Sequence, residues 1–429
     1  MKVGFISVPL SGHLNPMIAL ARKFRSRGHN VVFFGLPDAE RAVRTADLEF
    51  ISFGEEEYPV GAIPGAYAHL ATLTGEDVTR YLCQDMYPRR CRTALEQLPQ
   101  KLSAAGVQAL MVDAAHHFVE LLPISMGMPS ARIWNTLHFD GSGATPPFHF
   151  NWPHESTPEA IARNLEGVRK MDLAFVPVGE VAKSWAKKNN LEIDWNAPHA
   201  TASRFAVITQ SPKEFDFEDS PQPEAFYYTG PFHDDTGREP VPFPWKQLTG
   251  ETLVYASMGT LVNGLDFVYH AILEVIERLP GVQLVLSIGR NLRIADLGRI
   301  PSNAIVVPYA PQIELLNRAS LCITHAGMNT AMESLAAGVP MVAIPVGFDQ
   351  PGIAARIKYH GIGESLPVGT LTVDALSEAV QMVLKNPSYR SKARYFQEVI
   401  AKTRGLDLAA DIIERICQRS VRPELSPMD

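Results

Sequence analysis

The sequence has few cysteines and no long apolar run, and these absences exclude several classes of protein. Its four cysteines, Cys83, Cys91, Cys322 and Cys417, are too few and too scattered for a disulfide framework or a zinc site, so we expect reduced thiols that serve in packing. No apolar run approaches the ~18 residues that a membrane-spanning helix needs. The N-terminal segment Lys2–Val8 resembles a strand rather than a signal peptide. We predict a cytoplasmic protein, and peripheral contact with lipid-borne substrates stays open.

An excess of basic residues is also missing. The formal net charge is −7, and no basic run or tail is visible, so a nucleic-acid or anionic-membrane partner is disfavoured. Neither a phosphate-binding G-x-x-x-x-G-K-[ST] loop nor a G-x-G-x-x-G turn after a strand is present, which disfavours an NTPase and a nicotinamide-dependent enzyme.

The chain has 429 residues, of which 46% are hydrophobic, and this length predicts two domains because single cores rarely exceed about 250 to 300 residues. Strand and helix signals alternate in both halves, which indicates parallel βαβ units. We therefore predict an α/β protein with two Rossmann-like parallel-sheet domains that face each other across a cleft. The first would span residues 1–230 and the second 251–395, joined by a linker at 231–250 in a stretch rich in Pro, Asp, Glu and Gly. A helical stretch from Ala393 to Arg419 closes the chain and would suit either half.

A strand-to-helix turn in the second half predicts a phosphate site. The apolar run Ser320–Thr324 suits a buried strand, and the helix formers Ala331–Ala337 suit the helix that follows the polar turn. The first helical turn offers unpaired N–H groups and the positive end of the helix dipole, and Gly327 would let the backbone approach a diphosphate. Glu333 lies about 7.5 Å further along the helix than Met328, at ~1.5 Å per residue. That spacing suits a carboxylate that accepts hydrogen bonds from a ribose.

Three more polar residues follow predicted strands, and each has an ordinary alternative. His13 lies in Ser11–Pro16 after the first strand, between that strand and a helix predicted from Pro16 to Arg27, where it would otherwise be a solvated or capping residue. Asp113 ends the strand from Gln108 to Val112, where it would otherwise cap the next helix. Thr260 follows the first strand of the second half, where threonine is an ordinary turn residue. In doubly wound sheets, ligands bind at this edge.

The segment from 309 to 350 resembles the donor-binding signature of UDP-dependent glycosyltransferases with the GT-B fold. The resemblance is carried, in fixed order, by Tyr309-Ala-Pro-Gln312, His325, Gly327, Asn329, Glu333, Gly338-Val-Pro340 and Asp349-Gln350. The forms Thr324–Thr330 and Phe348–Arg356 look most like the bacterial zeaxanthin and macrolide glucosyltransferase branch. Two residues depart from the plant pattern. Tyr309 stands where a uracil-stacking Trp is usual, and Met328 stands where plant enzymes carry a Trp near the sugar.

The resemblance implies a role for each matching residue. His13 would take the proton of the acceptor hydroxyl, and Asp113 would orient and stabilise its imidazolium. Tyr309, the Ala310 backbone and Gln312 would cradle uracil and ribose. The other implied donor contacts are Thr260, His325, Gly327, Asn329, Thr330, Glu333, Asp349 and Gln350. His325 would contact the α-phosphate, and Asp349 with Gln350 would bind the sugar hydroxyls unless they only cap the helix near Pro351.

The activity that the resemblance implies is inverting transfer of glucose from UDP-glucose to a hydroxyl of a lipophilic or phenolic molecule, giving a β-glucoside. It implies neither a metal nor another cofactor, and it implies that the terminal segment, 396–429, crosses back to the first domain. A UDP-sugar 2-epimerase with the same layout is one alternative. A catalytically silent accessory protein that binds nucleotide sugars is another, although it would be expected to lack His13 or Asp113.

Two other groups of residues allow two interpretations each. Aromatic residues in 58–67, 81–87 and the insert 138–199 would either line an apolar acceptor pocket or merely pack loops, and the insert shows no strand periodicity. His116, His117 and Glu120 have metal-ligand spacing on a helix. Without a fourth ligand, however, such residues are usually polar side chains at the protein surface.

Overall fold

The protein is represented by a computed structural model that describes residues 1–196, 200–201, 206–221, 223–234 and 240–421. Its strands form two separate parallel sheets. The first sheet contains β1 (Lys2–Ile6), β2 (Asn30–Gly35), β3 (Glu49–Ser52), β4 (Ala109–Asp113), β5 (Ser130–Trp134), β6 (Ala206–Thr209) and β7 (Phe226–Tyr228). The second sheet contains β8 (Thr252–Ser257), β9 (Val282–Ser287), β10 (Ala304–Val307), β11 (Leu321–Thr324), β12 (Met341–Ala343) and β13 (Gly363–Ser365).

The helices of the first half are α1 (Ser11–Ser26), α2 (Glu40–Thr45), α3 (Ala62–Ala66), α4 (Glu76–Tyr81), α5 (Tyr87–Ala104), α6 (Leu121–Ser125) and α7 (Pro158–Lys188). Those that follow are α8 (Asp266–Glu277), α9 (Gln312–Leu316), α10 (Met328–Ala336), α11 (Gln350–Tyr359), α12 (Val373–Lys385), α13 (Pro387–Lys402) and α14 (Gly405–Val421). No described helix is long and apolar enough to cross a membrane.

The order of the strands in each sheet determines where a ligand-binding crevice can open. The first sheet runs β3-β2-β1-β4-β5-β6-β7 and the second β10-β9-β8-β11-β12-β13, with parallel pairing throughout. The order reverses between β1 and β4, and again between β8 and β11. Such switch points open a crevice at the carboxyl ends of the strands, where ligands bind. The predicted site residues that follow β1, β4, β8 and β11 therefore flank the two crevices, and the predicted fold class is confirmed.

The chain returns to the first half at its C-terminal end. Helix α14 lies against α1, where Arg27 forms ion pairs with Asp407 at 2.8 Å and with Asp411 at 2.7 Å. The single helix predicted from Ala393 to Arg419 is wrong, because α13 ends at Lys402 and α14 begins at Gly405. Thr403, between the two helices, packs against Gly230, and a side chain at residue 230 would clash with it.

One other prediction from sequence needs correction, and the sequence patterns do not predict α7, β3 or β13. Helix α1 begins at Ser11 rather than Pro16, so His13 lies in its first turn and not in a preceding loop. The insert that shows no strand periodicity contains the 31-residue helix α7, which begins where Thr157 accepts a bond from the Ala160 amide at 3.2 Å. Strands β3 and β13 have four and three residues, which is too short for an alternating pattern to be recognised.

Candidate active site

A cavity of about 1210 Å³ lies between the two sheets and brings most of the predicted site residues together. The predicted residues that line it are His13, Thr260, Gln312, His325, Gly327, Asn329, Thr330, Glu333, Asp349 and Gln350. Asp113 lies behind His13, fully buried. Tyr309 and Ala310 do not line the cavity, and Tyr309 is 50% exposed immediately before α9.

His13 and Asp113 form a hydrogen-bonded pair at the first switch point. His13 Nδ1 lies 2.9 Å from Asp113 Oδ2, and Asp113 also accepts bonds from the Ser7 hydroxyl at 2.8 Å and the Ala115 amide at 3.1 Å. Burial would raise the pKa of Asp113, but the His13 imidazole, the Ala115 amide and Ser7 hold it well below its usual range. An ionised carboxylate only accepts hydrogen bonds, so Nδ1 carries the proton and Nε2 is left as the basic nitrogen.

Pro16 connects this pair to the other half of the molecule. It lies within α1 and has no N–H, so the Gly12 carbonyl loses the helical partner it would otherwise have. That carbonyl instead accepts a bond from Asn329 Nδ2 at 2.9 Å, across the cleft. The first turn of α1, which holds His13, is thereby fixed relative to the first turn of α10.

His325 fills a slot between two glycines at the second switch point. A Cβ atom on either Gly259 or Gly327 would lie 2.5 Å from the His325 ring, so a side chain at either position would displace the imidazole. The lack of a side chain at Gly327 therefore makes room for this ring and not only for a ligand. Burial lowers the pKa of His325 to about 4, which leaves a neutral imidazole at the N-terminal end of α10.

Glu333 is held by the side chain of Gln312. Gln312 Nε2 donates to Glu333 Oε2 at 2.6 Å and approaches Thr330 Oγ1 at 3.3 Å. The hydroxyl of the buried Tyr255 donates to Gln312 Oε1 at 2.9 Å. This chain fixes the Glu333 carboxylate at one wall of the cavity and aligns the members of the predicted ribose site.

Asp349 and Gln350 do not cap α11 through their side chains. Asp349 Oδ2 accepts a bond from the Leu137 amide of the first half at 2.8 Å, and burial raises the pKa of Asp349 to about 6. Gln350 Oε1 accepts from the amides of Val346 and Gly347. Gln350 Nε2 has no protein partner among the described residues, so the amide is oriented by its oxygen and leaves its N–H groups for a ligand.

The aromatic residues for which the sequence allows two interpretations divide between them: some line the cavity and others pack loops. Phe139 and Phe148 line the cavity, as do Tyr67 and Tyr87. By contrast, Phe150 and Trp152 stack on each other with ring centroids 4.1 Å apart and pack over Gly167 of α7. The insert therefore supplies both a pocket wall and ordinary loop packing.

Sequence reasoning missed two polar residues that touch the site. Gln210, after β6, donates to Asn329 Oδ1 at 3.3 Å and to the Asn135 carbonyl at 3.0 Å. Asn135, after β5, is 2% exposed and lines the cavity, and neither atom of its amide group has a protein partner. Both follow strands at the same sheet edge as Asp113, and that position is the one signal that would have identified them.

The described residues contain no group of three or more His, Cys, Asp or Glu side chains able to hold a metal ion. His116 and His117 face different surroundings, since His116 packs against Phe53 and His117 lines the cavity. Glu120 pairs with Arg132. The metal-ligand spacing in the sequence therefore does not produce a cluster.

Comparison with known proteins agrees with this geometry. Residues 243–418 match the family of UDP-glucoronosyl and UDP-glucosyl transferases. An uncharacterized UDP-glucosyltransferase, YojK, of Bacillus subtilis is 27% identical over 98% of this chain and 98% of its own length. The zeaxanthin glucosyltransferase of Pantoea ananas is 26% identical over 96% of this chain and 95% of its own length.

A solved structure, the glycotransferase of kitacinnamycin, superposes with a TM-score of 0.75 at 24% identity and covers 97% of this chain and 98% of its own. The fold is therefore GT-B. The resemblance to UDP-dependent glycosyltransferases is confirmed over residues 243–418 by the family match and over nearly the whole chain by these relatives.

Proposed function

We propose that this chain, a GT-B glycosyltransferase, transfers glucose from UDP-glucose to a hydroxyl of a lipophilic or phenolic small molecule and inverts the anomeric carbon. The observation that carries the proposal is the position of the His13–Asp113 pair, which borders the same cavity as the first turn of α10 and Glu333. A base and a nucleotide-sugar cradle thus meet at one cavity. The relatives named as glucosyltransferases support glucose, and zeaxanthin is a hydroxylated apolar acceptor of one of them.

The proposed reaction is a single displacement. His13 Nε2 takes the proton of the acceptor hydroxyl as its oxygen attacks C1, and the bond from C1 to the UDP oxygen breaks with its electron pair leaving on UDP. Asp113 stabilises the imidazolium, as in other His–Asp pairs. Attack from the face opposite UDP converts the α-linked sugar to a β-glucoside.

The proposal assigns the growing charge on UDP to the protein. The unpaired amides at the N-terminus of α10 favour an anion, and Thr260 and Thr330 place hydroxyls at the same wall of the cavity. Glu333 would accept bonds from the ribose, and Asp349 with Gln350 would bind the sugar hydroxyls. In this scheme no step needs a metal ion, and the enzyme acts in the cytoplasm, as the sequence predicts.

The test is product analysis with purified protein. UDP-glucose, UDP-galactose, UDP-N-acetylglucosamine and dTDP-glucose would be supplied in turn with a panel of phenols, carotenoid-like alcohols and free sugars. We expect a hexose mass added to phenols or apolar alcohols, with UDP-glucose the best donor. Conversion of UDP-N-acetylglucosamine to its 2-epimer without an acceptor, or hexose addition to free sugars alone, would contradict the proposal.

A further inference from the structure

Cationic side chains line the acceptor side of the cavity, and the proposed reaction uses none of them. Arg90 of α5 and Arg132 of β5 both border the cavity, together with His117. Arg90 is only 5% exposed. These groups lie in the part of the cavity that is otherwise lined by aromatic side chains.

Arg90 has no counter-ion among the described residues. Its Nη1 lies 3.3 Å from the Tyr67 hydroxyl, its Nη2 donates to the Ala115 carbonyl at 2.6 Å, and its guanidinium lies 5.1 Å from the centre of the Tyr87 ring. All these partners are neutral. A buried cation without a carboxylate is strongly unfavourable unless another group balances the charge.

Arg132 already has a counter-ion but retains free donors. Its Nε donates to Glu120, which is 1% exposed, so these two charges offset each other. Neither terminal nitrogen of Arg132 has a protein partner in the described part of the chain. A guanidinium fixed through Nε with its fork unoccupied matches the geometry of a carboxylate.

His117 lies in the same wall. Its ring packs against Tyr87 and Phe175, with centroids 4.5 and 4.8 Å away. Burial, with the neighbouring charges of Arg90 and Arg132, lowers the pKa of His117 well below its usual value, so the imidazole is neutral and offers one N–H.

Two acids on this side of the cavity do not cancel the charge. Asp140 accepts bonds from the Ser142 amide and from Thr145, which hold it in its own loop. Burial raises the pKa of Asp172. Neither lies within ion-pair distance of Arg90 or Arg132 in the described chain.

We propose that Arg90, Arg132 and His117 form an anion subsite for a carboxylate of the acceptor, which makes the natural acceptor a hydroxylated aromatic acid. The inference rests on the proposed function and names its substrate class. Ala115 connects the subsite to the reaction centre, because its amide donates to Asp113 and its carbonyl accepts from Arg90. The hydroxyl and the carboxylate therefore belong to one compact molecule, whose ring packs among Phe139, Phe148 and Phe175.

The test compares acids with their methyl esters, which keep the ring and hydroxyl but lose the charge. The panel is 2-, 3- and 4-hydroxybenzoic acid and 4-hydroxycinnamic acid, each with its ester, measured by calorimetric binding and by turnover with UDP-glucose. The variants are Arg90→Gln, Arg132→Gln and the charge-balanced double variant Arg132→Gln/Glu120→Gln. The double variant guards against misfolding caused by a buried unpaired Glu120. Arg169→Gln is the control, because Arg169 is exposed on α7 and Glu166 is its ion-pair partner among the residues that the structure describes.

We expect at least one acid to bind more tightly and turn over faster than its ester, and each subsite variant to lower that preference about tenfold or more. Arg169→Gln should leave it unchanged. Equal binding and turnover of every acid and its ester would overturn the subsite, as would a preference that the folded double variant retains. Arg-dependent binding of an acid without any glycoside product would support the subsite and contradict the proposed function. Glycosides of acids and esters formed at equal rates would support the proposed function and contradict the subsite.

Discussion

The two walls of the cavity are built in different ways. The wall proposed to bind the donor takes its polar side chains from the segments that follow β8, β10, β11 and β12, and nearly all of them lie between residues 312 and 350. The acceptor wall is assembled from α1, α5, α7 and the loops after β4 and β5, which are far apart in sequence. Because the residues of the donor wall are close together in sequence, they can be recognised as one motif. The residues of the acceptor wall are far apart in sequence, so only the folded structure shows that they belong together.

The walls also differ in how their charges are held. On the donor side, Glu333 and Gln312 form one hydrogen-bonded chain that ends at Tyr255. On the acceptor side, Asp113 has three hydrogen-bond partners, whereas the partners of Arg90 in the described part of the chain are all neutral. Nucleotide binding and proton transfer should therefore be separable by mutation, and the following experiments test that separation.

The largest effect is expected on the acceptor wall. His13→Ala removes the base, so turnover should fall roughly 10²- to 10⁴-fold, the range for loss of a positioned general base. UDP affinity, measured by calorimetry, should change little. Asp113→Asn should also impair turnover with His13 intact, because an amide can hold the imidazole in the wrong tautomer. Near-normal turnover of His13→Ala on an alcohol would show that another group is the base.

The next effect concerns Asp349, where the two walls touch. Its pKa of about 6 lies above the reference value of 3.8. Between about pH 4 and 6, Asp349 therefore holds a proton in the folded protein that it has released in the unfolded chain. The resulting stability is complete below about pH 4 and is lost as pH rises through 6, a change of about 3 kcal/mol. Asp349→Asn keeps an oxygen for the Leu137 amide. Its unfolding free energy should therefore vary less between pH 4 and 6 in chemical denaturation, and curves of the same shape for both proteins would refute the burial argument.

A smaller effect is expected on the donor wall. Glu333→Ala should weaken UDP and UDP-glucose binding by ~1.5 to 3 kcal/mol, the typical value for a hydrogen bond to a charged group. A UDP analogue with deoxyribose should lose less, because it makes fewer of these bonds. Unchanged UDP affinity in calorimetry would remove Glu333 from the ribose site.

The smallest effect is expected on chelation. Since the proposal assigns the charge on UDP to the α10 N-terminus and its neighbours, turnover should persist in excess EDTA. If EDTA abolishes turnover and magnesium or manganese restores it, a metal ion, and not the α10 N-terminus, stabilises the charge on UDP.

The sequence predicts the parallel two-sheet fold and many strand ends closely, because buried parallel strands such as β4 and β8 give continuous apolar runs. It fails where a pattern is short or ambiguous. Strand β13 has only three residues, and Pro16, a typical first residue of a helix, lies inside α1. The exchange of partners at Gly12 explains why proline is tolerated there.

The site residues likewise divide into those that the sequence predicts and those that only the structure shows. Strand-end position and family resemblance predict His13, Asp113 and the donor residues as site residues, and the structure places most of them around one cavity. Arg90 and Arg132 carry no signal in the sequence, because their roles depend on which carboxylates lie nearby after folding. Tyr309 remains a predicted uracil contact outside the cavity lining, half-exposed before α9.

The central claim is that His13 activates a hydroxyl for direct displacement of UDP. Its most direct test is proton NMR of the product formed from UDP-α-glucose and a phenolic acceptor by the wild-type enzyme, with His13→Ala in parallel. We predict the large anomeric coupling of a β-glucoside from the first product signals onward, and almost no product from the variant. An α-glucoside, or β-glucoside formed equally fast by His13→Ala, would contradict the account.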